Sequence, residues 1–571
     1  MDPATKPSTD KSVDRALACI IGGAQTQSSP SNGPNNERDR ILRELNLLRL
    51  SHQTFNQRLR RHIADTTRRL NSHNPIHRLP YELLVRTFAF TSTIGPQHEY
   101  LKHLVWIGLV SKDWSRVVFE TPSLWARISS RYDEEANRAA ILRSAGHPLL
   151  VDYSDHDCWT TAARERNAAF FPLAAREVYR WQRLRFHIGY QSALPFLRDL
   201  IFLSAPRLEE IKISCREPAR MGPIAGMQGH IDIFRGGTDR LRHLDLCQFP
   251  ILWSSQLLSG LETLKISASN LSHHPSTSHI TDVLRRCPKL LAFELQYQGE
   301  IDHHTSVATR SSEAEAIHLP HVTSFTLDLD DMGAFKHIIA SVRIPACARF
   351  ALGCRSATCN IFPNEAHHIV IALLAVIRRL SCIELGLSAS SLALVGWGDG
   401  CDPVIDIYLA HSSPWEELAW LTKPTATSVL WPSIEANISC DDPLPFPQIA
   451  DLLFNMPSIV KLELVGNSDS YISQLSHPIL NKGVYEWVLP NLRELWFEDC
   501  PENSLQLFLD LVGNRQGGVD MDGGDGVPLV LPKKLEKLYV RGPHQNSMAG
   551  SFYTALRGLN EGDWDSNVVE W

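Results

Sequence analysis

The residues best suited to metal chemistry lie in a short segment rich in glycine and aspartate, Asp520–Gly526. Its carboxylates are the hard oxygen ligands that Ca²⁺ prefers. An EF-hand loop, however, needs an oxygen ligand where Gly524 stands and a glycine where Asp525 stands. The register therefore fails, and we interpret the whole stretch 513–526 as an exposed loop inserted into a repeated structure.

Histidine and cysteine provide no better metal site. Paired histidines in loops or at a helix edge are usually surface polar groups, and clustered thiols inside a repeat usually belong to its core. The histidine pairs lack the matching cysteine or carboxylate spacing of a zinc ligand set, so the sequence predicts no metal. The groups are His273/His274, His303/His304, His367/His368 and the trio Cys347, Cys354 and Cys359.

Catalytic motifs are also absent from the sequence. It contains neither a phosphate-binding Gly-x-x-x-x-Gly-Lys-Ser/Thr loop nor a Gly-x-Ser-x-Gly elbow. The run Gly396–Gly400 predicts a turn, because a strand followed by a helix is not evident around it. We therefore expect no catalytic residues and no cofactor.

The most informative element is a helical segment, 79–128, with three apolar blocks. The first begins Leu79-Pro80-Tyr81-Glu82-Leu83-Leu84, and Pro80 suits the first turn of a helix. A later helix is predicted to carry one amphipathic stripe running from Trp106 to Val118. Some fifty residues with this many apolar groups cannot bury them all without a partner or an adjoining domain.

These blocks closely resemble an F-box, whose pattern is Leu-Pro-x-Glu-Leu-Leu-x-x-Ile-Phe, then Val-Cys-x-x-Trp, then Pro-x-Leu-Trp. Two positions depart from it, since Thr87 replaces the usual Ile and Ser111 the common Cys. A polar insertion within 91–100 lengthens the first loop, a form typical of F-box proteins of mushroom-type fungi. The resemblance implies binding to the Skp-type adaptor of an SCF cullin–RING ubiquitin ligase, through Leu79, Pro80, Glu82, Leu83, Leu84, Phe88, Leu109, Val110, Trp114, Pro122, Leu124 and Trp125.

A second pattern, Leu-x-x-Leu-x-Leu, organises the rest of the chain. Its last two apolar positions differ by two, so both point to one face of a short strand. Starts mostly 20 to 33 residues apart, with helical segments between several copies, predict an irregular leucine-rich-repeat-like solenoid with a parallel sheet. The copies are Trp181/Leu184/Phe186, Leu208/Ile211/Ile213, Leu241/Leu244/Leu246, Leu261/Leu264/Ile266, Leu290/Phe293/Leu295, Val322/Phe325/Leu327, a weaker Cys347/Phe350/Leu352, Leu380/Ile383/Leu385, Ile459/Leu462/Leu464, Leu492/Leu495/Phe497 and Leu535/Leu538/Val540.

The predicted organisation has five parts within a mixed α/β fold class. Apolar residues from Ile41 to Leu70 follow a 4-3 spacing, interrupted at His52 and Thr66, which predicts a long coiled-coil-like helix. Whether that helix pairs two chains or folds back stays open. The parts are a disordered tail, 1–36; the long helix, 37–72; the F-box, 73–130; a connecting region, 131–180, with helices over 139–145 and 164–180 and a strand over 148–153; and the repeat domain, 181–571.

Composition limits the function classes further. A net charge of −7 provides no general attraction to nucleic acid, and no apolar run reaches membrane-spanning length. Twelve dispersed cysteines without a Cys-x-x-Cys pair indicate a reduced, intracellular protein, cytoplasmic or nuclear. We expect a non-catalytic substrate-recognition subunit that binds an adaptor, through it a cullin, and a protein substrate. Two alternatives stay open: a repeat scaffold capped by its F-box-like segment, and an enzyme with a site on the concave face.

Overall fold

The structure is a computed structural model in which the chain forms two compact units, Met1–Leu124 and Trp125–Trp571. The boundary between them falls inside the segment 73–130 that the sequence assigned to one module. The described residues are 34–73, 75–93, 99–155, 160–189, 194–215, 231–269, 275–299, 301, 316–355, 368–388, 391–398, 400, 402–410, 434–440, 453, 458–466, 469–481, 484–498, 505–515, 532–533 and 535–541.

The first unit is helical. Its longest element has 39 residues, about 58 Å at 1.5 Å per residue, and begins slightly before the predicted start at 37. The remainder of the predicted tail, 1–33, lies outside the described residues. The α-helices are α1 (Pro34–Ser72), α2 (Tyr81–Thr93), α3 (Tyr100–Gly108) and α4 (Lys112–Glu120), and short 3₁₀ turns span Pro75–Arg78 and Pro122–Trp125.

The interior of the first unit is built where α2, α3 and α4 meet. Leu84 and Phe88 lie four residues apart on one side of α2, and both are buried. The Phe88 and Trp114 rings are 4.8 Å apart between centroids, tilted by 53°. Leu104 and Val118 are completely buried as well. A small apolar centre therefore holds the three helices together.

The sequence predicted one amphipathic helix from Trp106 to Val118, and this was wrong. The structure divides it into α3 and α4, separated by residues 109–111. Ser111 is the reason: its extended backbone makes it the N-cap of α4, and its hydroxyl accepts the Trp114 backbone N–H at 3.1 Å. The predicted stripe is consequently shared between two helices that expose different residues.

The second unit is built on one large sheet with helices between many of its strands. Its α-helices are α5 (Glu134–Arg143), α6 (Thr161–Ala175), α7 (Leu194–Phe202), α8 (Thr277–Arg286), α9 (Met332–Ser341), α10 (His368–Ile377), α11 (Asp469–Leu475) and α12 (Leu505–Gly513). The strands are β1 (Arg127–Ser129), β2 (Leu149–Ser154), β3 (Trp181–Ile188), β4 (Glu210–Cys215), β5 (His243–Cys247), β6 (Thr263–Ser269), β7 (Ala292–Gln298), β8 (Ile317–His318), β9 (Ser324–Leu329), β10 (Val342–Arg343), β11 (Arg349–Cys354), β12 (Cys382–Ser388), β13 (Ser391–Trp397), β14 (Pro403–Ala410), β15 (Ile434–Cys440), β16 (Ile459–Gly466), β17 (Ile479–Asn481), β18 (Val484–Glu486), β19 (Glu494–Glu498) and β20 (Lys537–Arg541).

Within the described residues, sixteen of these strands form the sheet in the order β1-β2-β3-β4-β5-β6-β7-β9-β11-β14-β13-β12-β15-β16-β19-β20. All neighbours are parallel except the pairs β12–β13 and β13–β14. Strands that follow one another in the chain are mostly neighbours in the sheet, joined by helices or other crossovers, as parallel pairing requires. The molecule is therefore a mixed α/β protein with a large, mostly parallel sheet.

The repeated sequence pattern sets the register of the sheet. All eleven copies place their last two apolar positions on strands. These positions align directly across neighbouring strands along β3 to β11 and along β16, β19 and β20, and from β3 to β11 each residue of the first row is at most 3% exposed. That row is Leu184, Ile211, Leu244, Leu264, Phe293, Phe325 and Phe350.

The repeat copies are widely separated between Leu385 and Ile459, and the structure shows a cause. β13 and β14 turn back antiparallel from β12, so that β14, rather than β12, pairs with β11. Gly396 and Trp397, assigned to a turn from the sequence, lie on β13. A Cβ at Gly396 would lie 2.5 Å from a methyl carbon of Leu380, so a larger residue there would have to displace the buried Leu380 side chain.

The predicted connecting region, 131–180, belongs to the same sheet. The strand expected at 148–153 is β2, and the helices expected at 139–145 and 164–180 correspond to α5 and to α6 followed by a 3₁₀ turn, Val178–Arg180. The sequence missed β1, which pairs with β2 in parallel. The buried Asn137 amide accepts the Ser129 backbone N–H at 3.0 Å and donates to its carbonyl at 2.9 Å. This side chain thereby satisfies polar groups of an edge strand.

Buried arginines fix the turns around the sheet. The Arg515 guanidinium, 1% exposed, donates to the carbonyls of Leu475, Val488 and Leu489. The prediction of an exposed loop over 513–526 was therefore wrong at its start, where Gly513 ends α12 and Arg515 is buried. Burial lowers the pKa of Arg515 to about 10, which leaves it charged at neutral pH. Arg180 similarly donates to the carbonyl of His147.

In the part of the chain that the structure describes, no helix combines the length and apolar character that crossing a membrane requires.

Candidate partner-binding surfaces

Seven large apolar side chains of α2, α3 and the following turn are exposed to solvent. Leu109 is 76% exposed and Phe90 69%, far above the exposure of a core residue. Exposed apolar groups at this density are a common mark of protein-binding surfaces. We call this group the apolar set: Tyr81, Leu83, Phe90, Val105, Trp106, Leu109 and Val110.

The twelve residues that the F-box resemblance implicates in adaptor binding fall into two groups. Buried members contribute to packing within the chain and have little surface left for another protein. Leu84, Phe88, Leu124 and Trp125 are buried; Leu79 and Trp114 are half-buried; and Pro80, Glu82, Leu83, Leu109, Val110 and Pro122 are exposed.

Hydrogen bonds hold the helices that carry the apolar set. The Thr121 hydroxyl donates to the carbonyl of Val117, so its oxygen is left to accept the hydroxyl of Tyr81. The Tyr100 hydroxyl donates to the carbonyl of Leu124 at 3.0 Å. Both bonds tie a residue near the start of a helix to the segment around the end of α4. These hydrogen bonds therefore fix the helices that carry the exposed side chains.

Four members of the apolar set were not among the predicted adaptor-binding residues: Tyr81, Phe90, Val105 and Trp106. The signal for Phe90 was its spacing, because seven residues place it on the same side of α2 as Leu83. For Trp106, the signal was Ser111, which favours an N-cap and hence a break after α3. The ammonium of Lys102 lies 4.7 Å from the centroid of the Trp106 ring, in cation–π contact.

The sheet of the second unit has one face lined by polar residues. Along each strand these residues alternate with buried ones, as at Lys212 and Asp245 on β4 and β5. Neighbouring strands carry opposite charges close together, forming cross-strand ion pairs. We call this surface the polar face; its pairs include Arg183–Glu210 at 3.2 Å, Lys212–Asp245 at 2.6 Å, Lys265–Glu294 at 2.7 Å and Lys537–Glu494 at 2.8 Å.

Aromatic residues join the polar face at β19 and β20. The rings of Trp496 and Tyr539 stack with centroids 3.8 Å apart and planes 25° apart. The ammonium of Lys461 lies 5.0 Å from the centroid of Trp496 and 3.3 Å from a Glu435 carboxylate oxygen. Stacked aromatic rings beside charged groups provide both contact area and hydrogen-bonding partners for another molecule.

The groups with altered acidity on the sheet do not point to nucleophilic chemistry. Burial raises the pKa of the Cys215 and Cys347 thiols to about 12, so both are protonated at neutral pH. Burial lowers the pKa of His187, whose Nδ1 lies 2.6 Å from the Ser214 hydroxyl. Burial therefore explains the altered pKa of all three side chains.

Among the described residues, no three His, Cys, Asp or Glu side chains are grouped so that they could hold a metal ion. The segment Asp520–Gly526 lies outside the described residues, as do Cys359, His367 and the pairs His273/His274 and His303/His304.

A scan against protein-family models finds no match for this chain, and a search of curated proteins finds none either.

Proposed function

We propose that this chain is the substrate-recognition subunit of an SCF-type cullin–RING ubiquitin ligase. In this proposal the segment 73–130 is an F-box that binds a Skp-type adaptor and through it a cullin. The sheet of the second unit is a leucine-rich-repeat-like solenoid that binds a protein substrate. The chain performs no catalysis itself. It raises the concentration of substrate near the conjugating enzyme, a proximity effect.

The observation that carries the proposal is the exposure of apolar residues among those that the F-box resemblance implicates in adaptor binding. Leu83, Leu109 and Val110 are 45%, 76% and 56% exposed, although the helices around them have a closed interior. Covering a fully exposed leucine contributes roughly 1.5–3 kcal/mol. A standard interface of about 800 Å² on each partner would cover several members of the apolar set.

The polar face supports the second half of the proposal. Its ion pairs, hydroxyls and stacked aromatic rings resemble the chemistry of a protein-binding surface. Charged groups of both signs favour recognition of a partner with a complementary pattern. The protein substrate is the counterpart that this surface suits.

The alternative is a repeat scaffold whose F-box-like segment only caps the solenoid. A capping segment would need no second polypeptide, whereas the adaptor-binding proposal requires one on the apolar set. The experiment below separates the two functions.

The test is co-purification of the full chain with a Skp-type adaptor. We expect the native chain to retain the adaptor, and the double variant Leu83→Asp/Leu109→Asp to lose at least about thirtyfold in affinity, as for loss of an anchor contact worth about 2 kcal/mol. Leu142→Asp is the matched control, because Leu142 is an 80% exposed leucine on α5 of the other unit. Circular dichroism should show all proteins folded.

Two results would count against the proposal. A native chain that binds no Skp-type adaptor would favour the scaffold function. A folded double variant that binds as tightly as Leu142→Asp would separate adaptor binding from the apolar set. The second result would mean that the exposed apolar residues do not bind the adaptor, even if the chain still bound it elsewhere.

A further inference from the structure

Helix α1 carries a second exposed apolar surface, separate in sequence from the F-box positions. Its members are 41–72% exposed along a helix of 39 residues. Helices of globular proteins gain most of their stability by packing an apolar face, and this face is uncovered in the single chain. We call it the α1 seam: Ile41, Leu45, Leu48, Phe55, Leu59, Ile63 and Leu70.

The spacing of the α1 seam is that of a coiled coil. Counting heptads from Leu45, the a positions hold Leu45, His52 and Leu59, and the d positions hold Ile41, Leu48 and Phe55. Beyond Leu59 the apolar spacing lengthens by one residue, so that Ile63 continues the seam. The regular part, from Ile41 to Leu59, extends about 27 Å along the helix.

We propose that two copies of this chain pair through α1 as a parallel two-stranded coiled coil. In parallel register each a residue meets its own counterpart, and each d residue does the same. Leucine then faces leucine at 45, 48 and 59, and His52 faces His52 in one polar layer. The seam is therefore complementary to itself, as an interface with twofold symmetry requires.

Flanking charges favour the same partner and the same direction. Glu44 at a g position lies opposite Arg49 of the second copy at an e position, because g and e residues five apart meet in a parallel pair. The parallel homodimer thus places an acid beside a base on each side of the seam.

The arginines of α1 lie beside the seam or away from it. Arg49 and Arg58 flank it at e and g positions, whereas Arg60, Arg61 and Arg68 occupy b and c positions, which point away from the partner in a two-stranded coil. They remain solvated on the outer surface. Their placement opposite the seam makes the apolar side available for a second helix.

The proposal goes beyond adaptor binding, and its test uses the full chain. Light scattering after size exclusion, at micromolar concentration, should give twice the 64.2 kDa chain mass. Leu48→Glu/Leu59→Glu should reduce this to the mass of one chain. Leu50→Glu is the matched control and should remain dimeric, because Leu50 is an exposed leucine (63%) at an outward f position of the same helix.

Monomeric native protein would overturn the proposal, and so would a Leu50→Glu variant as monomeric as the seam double variant. Adaptor co-purification of the seam double variant should be unchanged. Loss of dimerisation with adaptor binding intact therefore keeps the two proposals separately testable.

The direction of pairing is tested by disulfide formation. Leu45→Cys, at an a position in the N-terminal half of α1, should give a covalent dimer on a non-reducing gel after mild oxidation, because a parallel pair brings the two copies of residue 45 together and a fully overlapped antiparallel pair separates them. Gln57→Cys, at an outward f position, should give none above the background of the native cysteines. A dimer in which Leu45→Cys fails to cross-link would overturn the parallel register.

Discussion

The two units of this molecule differ in how they cover their apolar side chains. Among the described residues, seventeen large apolar side chains are exposed in Met1–Leu124 and six in Trp125–Trp571, although the second unit is much the longer. Both units have regular apolar spacing in their sequences. Regular spacing therefore identifies an apolar face, but it does not tell which chain will cover that face.

The difference follows from the geometry of the two kinds of element. In the sheet, Phe325 has Phe293 and Phe350 directly in register on either side, and its ring centroid lies 5.4 Å from that of Phe293. Each added strand thus covers part of the strand before it. A helix such as α1 covers its seam only when another element packs alongside it.

The largest effect should come from the interior of the sheet. Phe325→Ala should lower the free energy of unfolding by about 3–5 kcal/mol, because it removes a fully buried ring and leaves a cavity. Thr326→Ala, the next residue and on the polar face, should change it by less than about 0.5 kcal/mol. Urea unfolding followed by circular dichroism measures both. Similar losses of unfolding free energy in the two variants would mean that the polar face contributes as much to stability as the buried face.

A smaller contrast should appear within the first unit. Trp114 is half-buried against Phe88, so Trp114→Ala should destabilise α2 and α4 by roughly 2 kcal/mol. Leu109→Ala should cost less than about 0.5 kcal/mol, because Leu109 is 76% exposed. Hydrogen exchange of the amides in α2 and α4 resolves this unit from the other. Equal protection in the two variants would contradict the division between interior and surface.

The repeated pattern predicted the strands well because the alternation of buried and exposed residues along a strand appears directly in the local sequence. Two apolar residues separated by one residue, after an apolar residue three positions before the first of them, were enough to locate eleven strands from Trp181 to Arg541. β13 and β14 were missed because they leave the repeat and pair antiparallel. The pairing of β14 with β11 depends on contacts between segments distant in the sequence, and a local pattern does not contain that information.

The surfaces were harder to predict than the strands. The motif positions Leu83 and Leu84 are adjacent leucines, yet Leu83 is 45% exposed and Leu84 only 9%. Residue type could not separate them, because their difference depends on the packing of α2 against its neighbours. The same holds for Trp106 and Trp114, which the sequence placed on one stripe and the structure divides between two helices.

The smallest expected effect concerns the polar face. The Lys265 ammonium lies 2.7 Å from a Glu294 carboxylate oxygen, and this hydrogen bond raises the pKa of Lys265, so the ammonium stays charged at neutral pH. Both side chains reach solvent, and exposed ion pairs contribute only about 0.2–1 kcal/mol. A double-mutant cycle with Lys265→Ala and Glu294→Ala should therefore give a coupling within that range, and added salt should reduce it.

The size of that coupling sharpens the contrast between the two surfaces. If the pairs of the polar face contribute little to folding, their charges can be exchanged for contacts with a partner without unfolding the sheet. A salt-insensitive coupling well above about 1 kcal/mol would instead show that the face holds neighbouring strands together. The polar face would then be part of the scaffold, and the apolar set and the α1 seam would be the surfaces left for binding.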